Sequence, residues 1–108
     1  MNQPRQHHQT MREPADTVHL DRHTRKRLAI QWIKAVRAQS DCLHCGTHEP
    51  EIFEFHHREP KNKISTVSHL VHRGAPLKLI FQEAAKCDIL CPSCHKREHV
   101  RLAELNRE

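Results

Sequence analysis

Cys91-Pro92-Ser93-Cys94-His95, with His99 a helical turn further on, brings together residue types that fit three chemistries. Cys-x-x-Cys is the spacing of a redox dithiol, Cys-x-x-Cys-His is the attachment pattern of c-type haem, and the same two thiols are half of a zinc site. Covalent haem attachment follows export, and no apolar signal segment follows Met1. Met1 and Met11, the only methionines, both lie in a polar N-terminal stretch unsuited to axial ligation. Dithiol oxidoreductases place Cys-Pro-x-Cys at a strand-to-helix junction of a larger sheet than this chain offers. That reading also leaves a second pair, Cys42-Leu43-His44-Cys45, without a task. Two Cys-x-x-Cys pairs point to zinc: thiolates of Cys42, Cys45, Cys91 and Cys94 complete a tetrahedral site with no open position, which is structural rather than catalytic. Zinc binding of this kind contributes on the order of 10–16 kcal/mol to folding. Cys87 falls outside both pairs and reads as a buried free thiol.

The elements that must position these residues follow from periodicity. Residues 1 to about 20 have no apolar period and read as a flexible N-terminal arm; the adjacent His7 and His8 within it are too few for a metal tract. Residues 21–108 form one domain on this reading. Leu28, Ala29, Trp32, Ile33 and Val36 recur at helical spacing. Arg27, Gln31 and Lys34 fall on the opposite, basic side, a face that could lie along phosphates but is more commonly just solvated. Gly46 ends the first cysteine pair with a permissive backbone. Residues 51–57, EIFEFHH, alternate as a short strand would, which sends the adjacent His56 and His57 to opposite sides. Residues 65–73 fit a short helix ended by Gly74. Pro76 suits the start of another, with Leu77, Ile80, Phe81 and Ala84 as an apolar stripe. Ile89-Leu90 reads as a second strand, and Pro92 opens a last helix running to about Asn106. On that helix His95 and His99, at i and i+4, share a face. Zinc would join the start of this helix to the first knuckle and so bring His56 or His57 near His95. Twelve histidines in 108 residues form chance pairs readily. What carries weight is their fixed order around a four-cysteine frame.

The string from Cys42 to His99, CLHC…EIFEFHH…KNKIS…KCDILCPSCHKREH, resembles the HNH endonucleases, in particular the small zinc-stabilised proteins of phages and prophages. The resemblance covers a little over half the chain. It implies a small α+β, zinc-stabilised domain with a ββα-metal (His-Me finger) core and additional helices. It also implies metal-dependent hydrolysis of phosphodiester bonds in DNA, taken as double-stranded, with 5′-phosphate and 3′-hydroxyl products. Matched by position, His57 is the general base that takes a proton from the attacking water, a task suited to neutral imidazole. His56 and His95 hold the catalytic divalent cation. His99 matches a third metal histidine of the colicin-type members, with an exposed helix histidine as its alternative. The middle Asn of the family has no counterpart where it is expected, a position held by Lys86, Cys87 and Asp88, and Asn62 stands only five residues after His57. Imidazole ligands favour Zn²⁺, Ni²⁺, Co²⁺ or Mn²⁺ over Mg²⁺, which prefers oxygen.

Composition agrees with a small nucleic-acid enzyme without requiring one. The net charge of +5 suits a polyanionic partner. Arg58, Lys61 and Lys63 after the first strand, and Lys96, Arg97 and Arg101 on the last helix, are candidate phosphate contacts giving affinity without sequence reading. Three phenylalanines, one tryptophan and no tyrosine leave a thin core, the circumstance in which a metal staple is needed. No run approaches the ~18 apolar residues of a membrane span. The expected location is the cytoplasm of a bacterial host, where five cysteines are better read as ligands than as disulfides. Phage packaging proteins are partners by resemblance only. A single site nicks one strand, so double-strand cutting requires a dimer or repeated nicking by a monomer. Two rival functions differ in kind: a non-catalytic zinc module binding nucleic acid or protein, in which His57 is dispensable, and a thiol oxidoreductase, which stoichiometric zinc on Cys91 and Cys94 excludes.

Overall fold

Helix-start chemistry is written plainly into the chain. The computed structural model describes residues 12–107, so His7, His8 and most of the expected arm lie outside it. Helix α1 (Arg22–Ala38) begins where Asp21 caps it, its Oδ1 accepting from the Thr24 amide at 2.8 Å. Its apolar stripe Ala29, Ile33 and Val36 is buried, with Leu28 and Trp32 packed beside it. Thr66 caps α2 (Val67–His72) in the same way, through the His69 amide. Gly74 then reverses the chain into α3 (Leu77–Ala84), whose Leu77, Ile80 and Ala84 are buried and whose Phe81 meets Trp32 edge-on at 6.0 Å. Two strands, β1 (Glu54–His57) and β2 (Cys87–Leu90), pair antiparallel, and α4 (Pro92–Leu105) follows β2 directly and packs on both. Among the described residues, the result is a small α+β domain with four helices and one two-stranded sheet. Among the described residues, no helix is long and apolar enough to cross a membrane.

Two sequence expectations are corrected. The strand expected over 51–57 begins only at Glu54, because Glu54 already pairs with Leu90 and the next residue of the partner, Cys91, turns into the second knuckle. Upstream, Pro50–Ile52 forms a 3-10 turn, and Phe53 leaves it to become one of the largest fully buried side chains. Packing also reaches further towards the N-terminus than the expected boundary at 20. Thr17 is buried, and its hydroxyl accepts from the Leu77 amide at 2.9 Å, satisfying a donor in the first turn of α3.

Helix α1 is fastened to the α2–α3 turn by two arginines. Arg22 Nε donates to the Arg73 carbonyl at 3.1 Å and Arg25 Nε to the Gly74 carbonyl at 2.7 Å. Gly74 itself has φ of 75°, and a Cβ built on it would lie 2.5 Å from Arg22 Cγ. Gly74→Ala is therefore expected to lower stability by about 1–3 kcal/mol, the scale of a forced left-handed residue. Chemical denaturation followed by circular dichroism measures this as a lower midpoint, and an unchanged midpoint would show that the turn relaxes freely.

Candidate metal centre and histidine cleft

The two cysteine pairs meet. One ligand atom from each of Cys42, Cys45, Cys91 and Cys94 lies within 4.8 Å of the others, with Cys45 Sγ and Cys91 Sγ 3.8 Å apart. Local backbone makes the first knuckle: Gly46 at φ of 77° returns its amide to the Cys42 carbonyl, and the Leu43 amide bonds the Ile89 carbonyl of β2. The second knuckle is the start of α4, with Cys91 at the N-cap and Pro92 in the first turn, so its thiols sit at the positive end of a helix. Without a cation Cys42 and Cys94 diverge in acidity. Burial raises the Cys42 thiol, but amides of Cys45, Cys91 and His44 outweigh it and bring its pKa down to about 6. Burial and its sulfur neighbours push Cys94 up to about 12. A divalent cation removes that conflict by taking all four as thiolates. The four cysteines thus form a closed site able to bind a structural metal such as zinc. Cys87 stands apart, buried with its pKa raised by burial to about 12 and its thiol directed at the Glu83 carbonyl.

A second group lies on the side of α4 facing β1. Ligand nitrogens of His56, His95 and His99 fall within 4.8 Å of one another. Ring centroids are 5.0 Å apart for His56–His95 and 4.6 Å for His95–His99. Glu54 on β1 accepts from His95 Nδ1 at 2.7 Å, which directs the Nε2 lone pair of the neutral ring inward. That Nε2 is 2.9 Å from His99 Nε2. Ring nitrogens this close are reconciled by a proton on one of them or by a cation between them. Burial lowers the His56 pKa, and the neighbouring His95 and His99 add to the effect, so this ring favours the neutral, ligating form.

His57 points the other way, as strand alternation requires. Its Nε2 lies 2.8 Å from Glu83 Oε2 on α3, both side chains buried. Glu83 also accepts from the Ile64 amide at 2.9 Å and from Lys86 Nζ at 3.0 Å. Burial alone would raise its pKa; the Ile64 amide, then Lys86 and His57, reverse this and hold it at about 2. An ionised carboxylate has no proton to give, so His57 carries the proton on Nε2 and keeps Nδ1 as a lone pair when neutral. A cleft of about 460 Å³ is lined by His56, His57, His95 and His99 together, with Lys63 at its rim. Glu83 was invisible to sequence reasoning because it lies beside an apolar stripe, where an acid reads as solvent-facing. Its one signal is position, a helical turn before Cys87 and β2.

The candidate phosphate contacts divide. Lys61, Lys63 and Lys96 are exposed. Arg58 instead binds the Cys87 carbonyl at 2.9 Å and Asp88 Oδ1 at 3.0 Å, clamping the end of the sheet. Arg97 Nη1 turns back to Cys94 Sγ at 3.6 Å, and Arg101 pairs with Glu98 one turn away. Asn62 offers its main-chain carbonyl to Lys86 Nζ. No protein-family model, curated protein or solved structure matches this chain.

Two measurements test the site. Cys91→Ser is expected to drop bound zinc from one equivalent to a small fraction, read by elemental analysis of dialysed protein, with a lower thermal midpoint. Retention of full zinc would place the metal elsewhere. Glu83 should stay ionised far below its ordinary value of 4.5. Its folded pKa is depressed, so the stability it contributes is fully present above about 4.5 and is lost as pH falls through about 2. The carboxyl ¹³C shift of Glu83 should therefore hold its ionised position as pH falls through 4.5 for as long as the chain stays folded. A titration centred near 4.5 in folded protein would contradict the buried hydrogen-bonded carboxylate.

Proposed function

We propose that the chain is a metal-dependent DNA endonuclease of the HNH type, in which His57 is the general base and His56, His95 and His99 hold a catalytic divalent cation. The observation that carries this reading is the sharing of one cleft by the three converging imidazoles and by His57, on a frame closed by the four cysteines. The chain order β1, β2, α4, with histidines on β1 and α4, is the order of a ββα-metal core. When bound, the cation would neutralise charge on the scissile phosphate and on the departing 3′ oxygen. Everything else falls to the protein. Glu83 fixes the His57 tautomer, leaving Nδ1 to accept a proton from water at the cleft floor. This gives Glu83 the bracing role that the missing middle Asn has in the family, through a carboxylate on α3 instead of an amide near β2. Glu54 orients His95 from the second strand position over. Lys63 lining the cleft, with the exposed Lys61 two residues before it and the exposed Lys96 next to His95, supplies phosphate attraction without base reading.

The donor set of three imidazoles supports Zn²⁺, Ni²⁺, Co²⁺ or Mn²⁺ ahead of Mg²⁺. Supercoiled plasmid incubated with wild-type protein and each of these ions should be nicked, giving 5′-phosphate ends. A general base contributes ~10²–10⁴-fold, so His57→Ala should lose at least about a hundredfold in rate while keeping its zinc. Equal cutting by both proteins would remove His57 from the role. No cutting by folded, zinc-loaded wild type under any ion would leave a non-catalytic zinc module as the function.

A further inference from the structure

A groove of about 250 Å³ runs between α1 and α2, and Phe55 lines both it and the histidine cleft. Its floor is apolar, formed by Ile33, Phe55, Val67 and Val71. Every charged side chain at its edge is basic: Lys26, Lys34 and Arg37, with His72 opposite. Arg37 carries an unmet demand as well, since its Nε is buried without a hydrogen-bond partner. A buried donor in that condition is unfavourable until an acceptor arrives. Lys26, Lys34 and Arg37 lie along one helix, about 12 Å from first to second and about 16 Å from first to third at 1.5 Å per residue. That reach matches a few successive phosphates, which recur every ~3.4 Å of axis on each strand. An apolar floor between cationic edges suits deoxyribose rings with their phosphates turned outward.

We infer that the α1–α2 groove is a second arm of the substrate path, which seats the sugar-phosphate backbone of a few nucleotides flanking the cut, with sugars on the apolar floor and phosphates on Lys26, Lys34 and Arg37. The inference rests on the nuclease reading and extends it, because it says which way the DNA leaves the cleft. It differs from the solvated-face view of α1: Lys34 and the inward-lying Lys26 and Arg37 bind, while Arg27 and Gln31 on the outer side do not.

The test uses His57→Ala protein with its zinc in place, to prevent cutting, and a fluorescein-labelled DNA duplex long enough to pass through both cleft and groove. Binding is followed by anisotropy over a range of salt. Each phosphate contact contributes about 0.9 to the slope of log affinity against log salt. Replacing Lys26 and Lys34 together by Ala should flatten that slope by about 1.8 and weaken binding about tenfold or more at low salt. Arg27→Ala should leave the slope within error of its parent. Ser68→Trp, which fills the groove from an exposed position without altering charge, should weaken binding comparably. Unchanged affinity and slope in the double variant, or full binding by Ser68→Trp, overturns the inference while DNA binding by the parent leaves the nuclease reading intact. A change of sedimentation coefficient caused by Ser68→Trp would identify the groove as a self-association surface and also overturn it. Absence of duplex binding by the parent fails both readings at once.

Discussion

Four sulfurs brought within 4.8 Å are the constraint on which the remaining geometry depends. They join a turn after α1 to the first turn of α4, and between those points the chain makes β1, α2, α3 and β2. A sheet of two four-residue strands is marginal by itself, and this one has α4 packed on it and the first knuckle hydrogen-bonded to Ile89. The helix that supplies His95 and His99 starts at Cys91, one of the four clustered cysteines, so the cluster ties down its first turn. Cys94 is the one residue of that helix that is fully buried. A cation there would do for α4 what a hydrophobic stripe does for α1 and α3.

Helices and knuckles were the legible part. Gly74 and Pro92 carry local chemistry that needs no tertiary knowledge, and elements stop or start beside them. The four-cysteine set was legible from spacing, and the opposite headings of His56 and His57 from strand alternation. The start of β1 was not, since pairing depends on where β2 ends, and that is decided by the knuckle at Cys91. Glu83 was hidden for a different reason: burial of a carboxylate needs several donors, and no local pattern announces Ile64 and His57 converging on it beside its neighbour Lys86. Arg58, Arg97 and Arg101 illustrate the same limit. Basic side chains near a candidate site look available in sequence, yet carbonyls, a sulfur and a carboxylate within the fold already engage them.

The two histidine environments divide labour through the strand they share. His56 and His57 are neighbours in sequence, but one joins an imidazole cluster with rings on α4 and the other joins a carboxylate on α3. A cation near one and a proton-accepting nitrogen on the other can thus stand at the same cleft without competing for ligands. The single-residue offset of a pleated strand does this with no loop or hinge.

Of the four clustered thiols, Cys45 alone is exposed; Cys42, Cys91 and Cys94 are buried. This asymmetry separates how tightly a metal is held from how fast it is exchanged. Tightness belongs to all four sulfurs and to the folded body behind three of them. The route of exchange would belong to one corner, where a competing chelator or thiol reaches a bound ion first through Cys45. Exchange of such a metal would start at the 42–46 turn, and loss of the ion there would release the tie between that turn and α4.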